Sequence, residues 1–287
     1  MTDVDDPNPY TSPTAETTTA ALAPGSKPLG PALPWSAVEA IEFAWNSIRR
    51  GPLVVLMLVI AGIVGSIPDS IGGGIYALLM LGQRRDLLLI AVAVRVVFAL
   101  VGLGLAAWIT LGKSRIKLGV CRGREPQFGE IFSGGPFWSI LGAFFVLGLA
   151  LAVGSAICVG PGLALLLSSK REEIGLIVLF LGLLVLLIPA LIIGWKVQFF
   201  PFLVVDRGAN AWESLTLSWR ITDGQLFELF VYWLLTLALV VGAVLLGALA
   251  CLVGLIVTIP VALAVLALAQ TCIYLKLAGE EPVLKAQ

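Results

Sequence analysis

Between Glu228 and Lys276 the chain runs 47 residues without an Asp, Glu, Lys or Arg. A helix needs about 20 apolar residues to cross the hydrocarbon of a bilayer, so this stretch is two spans and a tight turn. Backbone amides inside a bilayer must be satisfied within their own segment, which selects helices. The rest of the composition agrees. Hydrophobic residues make up 59% of the chain and charged residues 13%, where a soluble domain carries about 25% charge. The expected class is an all-α membrane protein.

The apolar runs predict six spans, at about 52–68, 87–111, 137–160, 174–200, 225–247 and 252–275. They fall into three hairpins, each preceded by a polar or amphipathic segment. The predicted architecture is three units of interfacial helix plus transmembrane hairpin over residues 35–280. Residues 1–34 are rich in Thr, Pro and Ala and lack an apolar run. They read as a disordered tail, too polar to offset the entropy of ordering. Residues 281–287 form a second, short tail. No basic start and apolar core of a secretory signal is present, so the first membrane helix is expected to target the chain itself.

Positive charge orients such a protein. With the N-terminus inside, thirteen lysines and arginines fall on the inner side and four at the outer tips. Both termini are therefore expected in the cytoplasm, and the plasma membrane is the expected location.

One piece of sequence is written twice. Ser36-Ala37-Val38-Glu39, followed by Trp45, recurs 174 positions later as Asn210-Ala211-Trp212-Glu213, followed by Trp219. Val38, Ile41, Trp45 and Ile48 recur at helical spacing, as do Trp212, Leu215 and Trp219. Both sets are expected to face lipid, with Trp45, Trp212 and Trp219 as anchors at headgroup depth. Each copy opens on a capping box, Ser36 with Glu39 and Asn210 with Glu213. Each closes on a glycine, Gly51 or Gly224, expected in the left-handed conformation. A degenerate third copy is read at Glu125–Gly135, so three interfacial helices are expected on the cytoplasmic face.

The stretch Phe199-Pro-Phe-Leu-Val-Val-Asp-Arg-Gly208, then Ala211-Trp-Glu-Ser-Leu215, then Ser218-Trp-Arg-Ile-Thr-Asp-Gly224, resembles a hallmark of bacterial membrane proteins. Their membrane domain is like that fused to some glycerophosphoryl diester phosphodiesterases. Gly254 to Pro260 and Tyr274 add to the likeness, which is specific across 199–278. The soluble catalytic domain is absent, so the resemblance implies a fold and a location without a reaction.

The chain has no histidine, which removes Ser-His and Cys-His catalysis and nearly all haem and zinc sites. Cys121, Cys158, Cys251 and Cys272 form no C-x-x-C pair. They read as small apolar residues, with a Cys158–Cys251 disulfide as the alternative. No cofactor or metal is expected, and zero net charge argues against nucleic acid.

Arg95, inside the second span, is the sharpest candidate for function; the structural alternative pairs it with Asp69 or Asp86. Asp206, Arg207, Glu213, Arg220 and Asp223 are read as one charged group around the second interfacial helix. It is a candidate for binding headgroups or a partner, or for ion pairing that locks the helix in place. Lys196 and Glu228 are read as anchors. Lys113, Arg115, Lys117, Arg122 and Arg124 are read as a basic loop that fixes topology. Gly148, Ala152, Ala156 and Gly160 are expected to form a helix-packing ridge, as are Ala243, Gly247 and Cys251.

Catalysis is not expected. The first expectation is a non-catalytic component that organises lipids or partner proteins at the cytoplasmic face. The alternative is a carrier of a lipid or other small amphiphile. Membrane lipids are the expected partners, with a protein partner through the interfacial helices. The sequence leaves the oligomeric state open.

Overall fold

The computed structural model of the protein describes residues 29–81, 87–167, 172–249 and 254–284. Helix α1 (Ala37–Arg50) leads into the hairpin α2 (Leu53–Leu81) and α3 (Leu88–Cys121). A short 3-10 helix at Phe128–Ile131 precedes α4 (Phe137–Cys158), α5 (Gly160–Leu167) and α6 (Glu172–Val197). Helices α7 (Phe200–Arg207) and α8 (Ala211–Ile221) lead into the last hairpin, α9 (Leu226–Leu249) and α10 (Leu255–Leu277). Among the described residues, six helices are long and apolar enough to cross a membrane: α2, α3, α4, α6 with its continuation through α7, α9 and α10. The chain is an all-α, multi-pass membrane protein.

Two spans outrun their expected limits. α2 continues through Pro68 to Leu81, where residues 69–86 were expected to be a connection. An interior proline removes one amide hydrogen bond and crowds the carbonyl one turn back, but the helix beyond it stays packed on α3: Gly72 lies against Phe98 and Arg95. α3 likewise runs ten residues past the expected end and takes in the segment read as a basic loop. Leu111, Ser114, Leu118 and Cys121 are buried at intervals of three and four, so this part of α3 is held by packing as a helix.

The middle unit differs from the other two. Its interfacial element is the four-residue 3-10 helix, in place of a three-turn helix. That turn lies directly on α3 at Gly112, where a Cβ would come within 2.2 Å of the Ile131 carbonyl oxygen. The expected third span is interrupted at Val159, and α5 carries on alongside α6, with Gly162 against Leu179 and Gly175 against Leu166. The ridge Gly148, Ala152 and Ala156 faces outward and makes no internal helix contact of the kind expected. Gly247 does pack closely, against Leu255 and Thr258, and Thr258 Oγ1 donates to the Ala243 carbonyl (2.8 Å). Cys158 is a free thiol; Cys251 and Asp86 lie outside the described residues.

The core is built on α10, whose Leu268, Ile273, Tyr274 and Leu275 are fully buried. It packs against α1, α2, α3 and α9. Residues 29–34, placed in the tail by composition, strap its end: the Gly30 amide donates to the Ala278 carbonyl (3.1 Å) and Leu33 to Lys276 (2.8 Å). On the other side the Val283 amide donates to Cys121 (2.8 Å).

Candidate functional site

Hairpin antiparallelism brings α1, the 3-10 helix, α7, α8 and the adjoining ends of α3 and α10 to one end of the bundle, here the cap. Helix α7 starts with Pro201 in its first turn and stops at Gly208, whose φ of +68° is the left-handed conformation that glycine adopts without strain. This turn presents the last two residues of α7, Asp206 and Arg207, to the ends of α3 and α10.

The result is an ionic network with a buried centre and a half-exposed rim, Arg122 and Glu280. The Asp206 side chain is 4% exposed and that of Arg207 is 3%. Asp206 pairs with Arg122 at 2.8 Å and with Arg207 at 3.5 Å, and accepts the Tyr274 hydroxyl (3.0 Å). Arg122 also donates from Nε and Nη2 to Glu280, at 3.0 and 2.6 Å. Glu280 lies 3.7 Å from Arg207. Two cations and two carboxylates thus close on one another. Burial works against the charge of Arg122, but its hydrogen bond to Glu280 and the charge of Asp206 outweigh this and raise its pKa above the usual value.

Of the five residues read as one charged group, only Asp206 and Arg207 belong to this network. Asp223 pairs with Lys196, whose ammonium lies 4.4 Å from the centre of the Trp219 ring. Lys196 is buried, because the turn after α6 folds under α8. Ser218 supports that turn: its hydroxyl accepts from the Phe199 amide (3.2 Å) and donates to the Lys196 carbonyl (2.8 Å). Glu213 completes the capping box with Asn210. Arg220 is exposed in the last turn of α8. Glu228 occupies the first turn of α9, where the helix dipole favours a carboxylate.

Arg95 meets Asp69 at 2.7 Å across the α2–α3 hairpin. It is therefore charge-paired, far from the cap. Arg122, Tyr274 and Glu280 complete the network but were not singled out as site residues from sequence. Their approach depends on the turn at Gly279, with φ +81°, which no local periodicity announces.

Helices α1 and α8 each seat a row of small residues inward and turn their tryptophans outward. In α1, Ala37, Ala40, Ala44 and Ser47 face inward while Val38 and Trp45 face outward. In α8, Ser214 and Ser218 face inward while Trp212 and Trp219 face outward. Two residues expected on the lipid face, Ile48 and Leu215, are buried. The Glu39 carboxylate turns from its own cap to Lys276, which leaves the first capping box half made. Gly51 has φ −144°, not a left-handed value, because the residue before a proline is driven toward extended backbone.

All eight tryptophans lie in the cap or in the half of a span that adjoins it. Trp45, Trp108, Trp138, Trp212, Trp219 and Trp233 have large exposed area, up to 79% at Trp138.

No curated protein and no solved structure matches the chain. Residues 36–278 match the model of a family described as a domain of unknown function, DUF7847. That match carries no link to the phosphodiesterase membrane domain. It spans α1 through α10, and the chain belongs to the DUF7847 family.

Proposed function

We propose that the protein is a non-catalytic membrane component whose cap organises lipids or partner proteins at the cytoplasmic face of the plasma membrane. The observation that carries this reading is a division of labour in the cap. Asp206, Arg207, Arg122 and Glu280 bind one another, while the indoles of Trp45, Trp212 and Trp219 point outward. Charged groups that neutralise each other lock helices together, and exposed indoles suit the headgroup layer. The lysine and arginine excess on this side supports a cytoplasmic orientation. Positions 174 apart share their burial, Ala40 with Ser214 and Ala44 with Ser218, which supports α1 and α8 as copies of one ancestral unit.

A carrier is the second reading, drawn from proline-containing spans and Arg95. Asp69 neutralises that arginine, so it offers little to a substrate, and the organiser stands first.

The test is a mass-spectrometric inventory of what copurifies with the protein extracted in its native lipid. The organiser reading expects bound lipid or a stoichiometric protein partner, reduced in the Trp45→Ala/Trp212→Ala/Trp219→Ala variant while the fold persists. An inventory that is unchanged by this variant would overturn the reading.

A further inference from the structure

A groove of about 410 Å³ runs between α2, α3 and α10. Its walls are apolar, from Leu58, Val59, Ile63, Pro260, Leu263 and Ala264, with two cations, Lys113 and Lys117, among them. By charge alone both lysines belong to a basic loop that fixes topology. Because α3 continues as a helix through them, they stand instead on the flank of a span.

The groove is polarised along its length. α2 runs away from the cap, so Ile63 and Ser66 mark the end farther from it, and Pro260, near the start of α10, lies at that end too. At the other end Lys117 extends toward the cap, its ammonium 4.5 Å from the ring centre of Phe202 in α7. Lys113 reaches Gly62: a Cβ on Gly62 would lie 3.9 Å from its Nζ, with no other atom within 4 Å. Gly62 follows Leu53 by nine residues, roughly 13 Å of helix rise. Among the described residues neither lysine makes an ion pair, whereas Arg122, Lys196, Arg207 and Lys276, also near the cap, each do. An ammonium beside apolar helix is costly without a counter-charge. Ile63 and Leu263 at the rim are exposed, so the groove opens sideways to the surrounding lipid.

We propose that this groove binds one anionic phospholipid, its phosphate between Lys113 and Lys117 and an acyl chain along Val59, Ile63 and Leu263. Two unpaired cations supply the charge complement, and the apolar walls supply the chain's surface. This inference rests on the lipid half of the organiser reading and gives it a lipid class.

Native mass spectrometry of the detergent-purified protein, titrated with phosphatidylglycerol or phosphatidylcholine, tests it. One phosphatidylglycerol is retained in preference to phosphatidylcholine, and Lys113→Gln and Lys117→Gln each cut that preference about fivefold, at about 1 kcal/mol per charge. Gly62→Leu keeps both lysines and improves helix propensity, yet fills the groove and lowers retention of either lipid at this site. Glycerol phosphate, which lacks the chains, does not compete. Equal retention of the two lipids, full competition by glycerol phosphate, or variants that bind like the native protein would each overturn the assignment. The tryptophan variant separates the two readings. If its partner inventory falls while lysine substitutions leave lipid binding unchanged, the groove proposal fails and the organiser survives.

Discussion

Asp206 sits at the buried centre of the cap's ionic network. It meets Arg122, Arg207 and Tyr274 from three separate chain segments, in a setting where a charge left alone is expensive. Replacing one partner of a buried ionic network typically costs 3–5 kcal/mol, because the opposite charge stays buried. Asp206→Ala is therefore expected to destabilise the protein by about 3 kcal/mol, and Tyr274→Phe by about 1.5 kcal/mol, the loss of one hydrogen bond to a charged group. Equilibrium unfolding in mixed detergent and dodecyl sulfate micelles, followed by circular dichroism, measures both. An Asp206→Ala protein as stable as the native one would show that the network contributes nothing to holding the cap. At Arg95 the expectation is different. Arg95→Leu leaves Asp69 unmatched and lowers stability, and adding Asp69→Leu restores most of the loss. If the double variant were as unstable as the single, the pair would not be what holds Arg95. The sequence named Asp206 and Arg207 because they sit in a dense run of charge, and it offered Asp69 as a partner for Arg95. It could not name Arg122, Glu280 and Tyr274 as their companions, since that meeting depends on how α3, α7 and α10 end.

At the level of elements, periodicity located the helices well and their ends poorly. The apolar runs gave the six spans because hydrocarbon admits few alternatives. Their lengths were misjudged where packing, not hydropathy, extends the helix. Lysines at 113 and 117 look like a loop by charge, while the buried series Leu111, Ser114, Leu118 and Cys121 keeps them helical. The outward faces of α1 and α8 are expected from the helical spacing of their apolar residues. Val38, Trp45, Trp212 and Trp219 obey that rule, but Ile48 and Leu215 turn inward beside the small residues that seat both helices. Two substitutions probe these contacts. Ser218→Ala leaves the Phe199 amide without its acceptor in a buried turn, at a cost of about 1–3 kcal/mol. Gly112→Ala places a methyl group against the Ile131 carbonyl and is expected to cost about 1–3 kcal/mol by overpacking. Both are read by the same unfolding assay. A neutral Gly112→Ala would mean that the 3-10 helix is free to move away from α3.

The molecule as a whole is asymmetric. Its tryptophans, the short helices α1, α7 and α8 and its locked charges gather at one end of a bundle whose other surfaces are largely aliphatic. The composition makes the membrane class legible, and the two Trp-bearing segments mark two of the cap helices, α1 and α8. The central position of α10 was hidden, because its run of Ala, Leu and Val reads like any other span until its neighbours are in place. The account requires that the cap lie at the membrane surface with its indoles in the headgroup layer. Depth-dependent quenching by brominated lipids tests this most directly, using a variant in which Trp212 is the sole tryptophan, reconstituted in bilayers. The account predicts strongest quenching by bromines near the headgroup end of the acyl chain. Quenching strongest at the bilayer centre, or none with full access to an aqueous quencher, would contradict it.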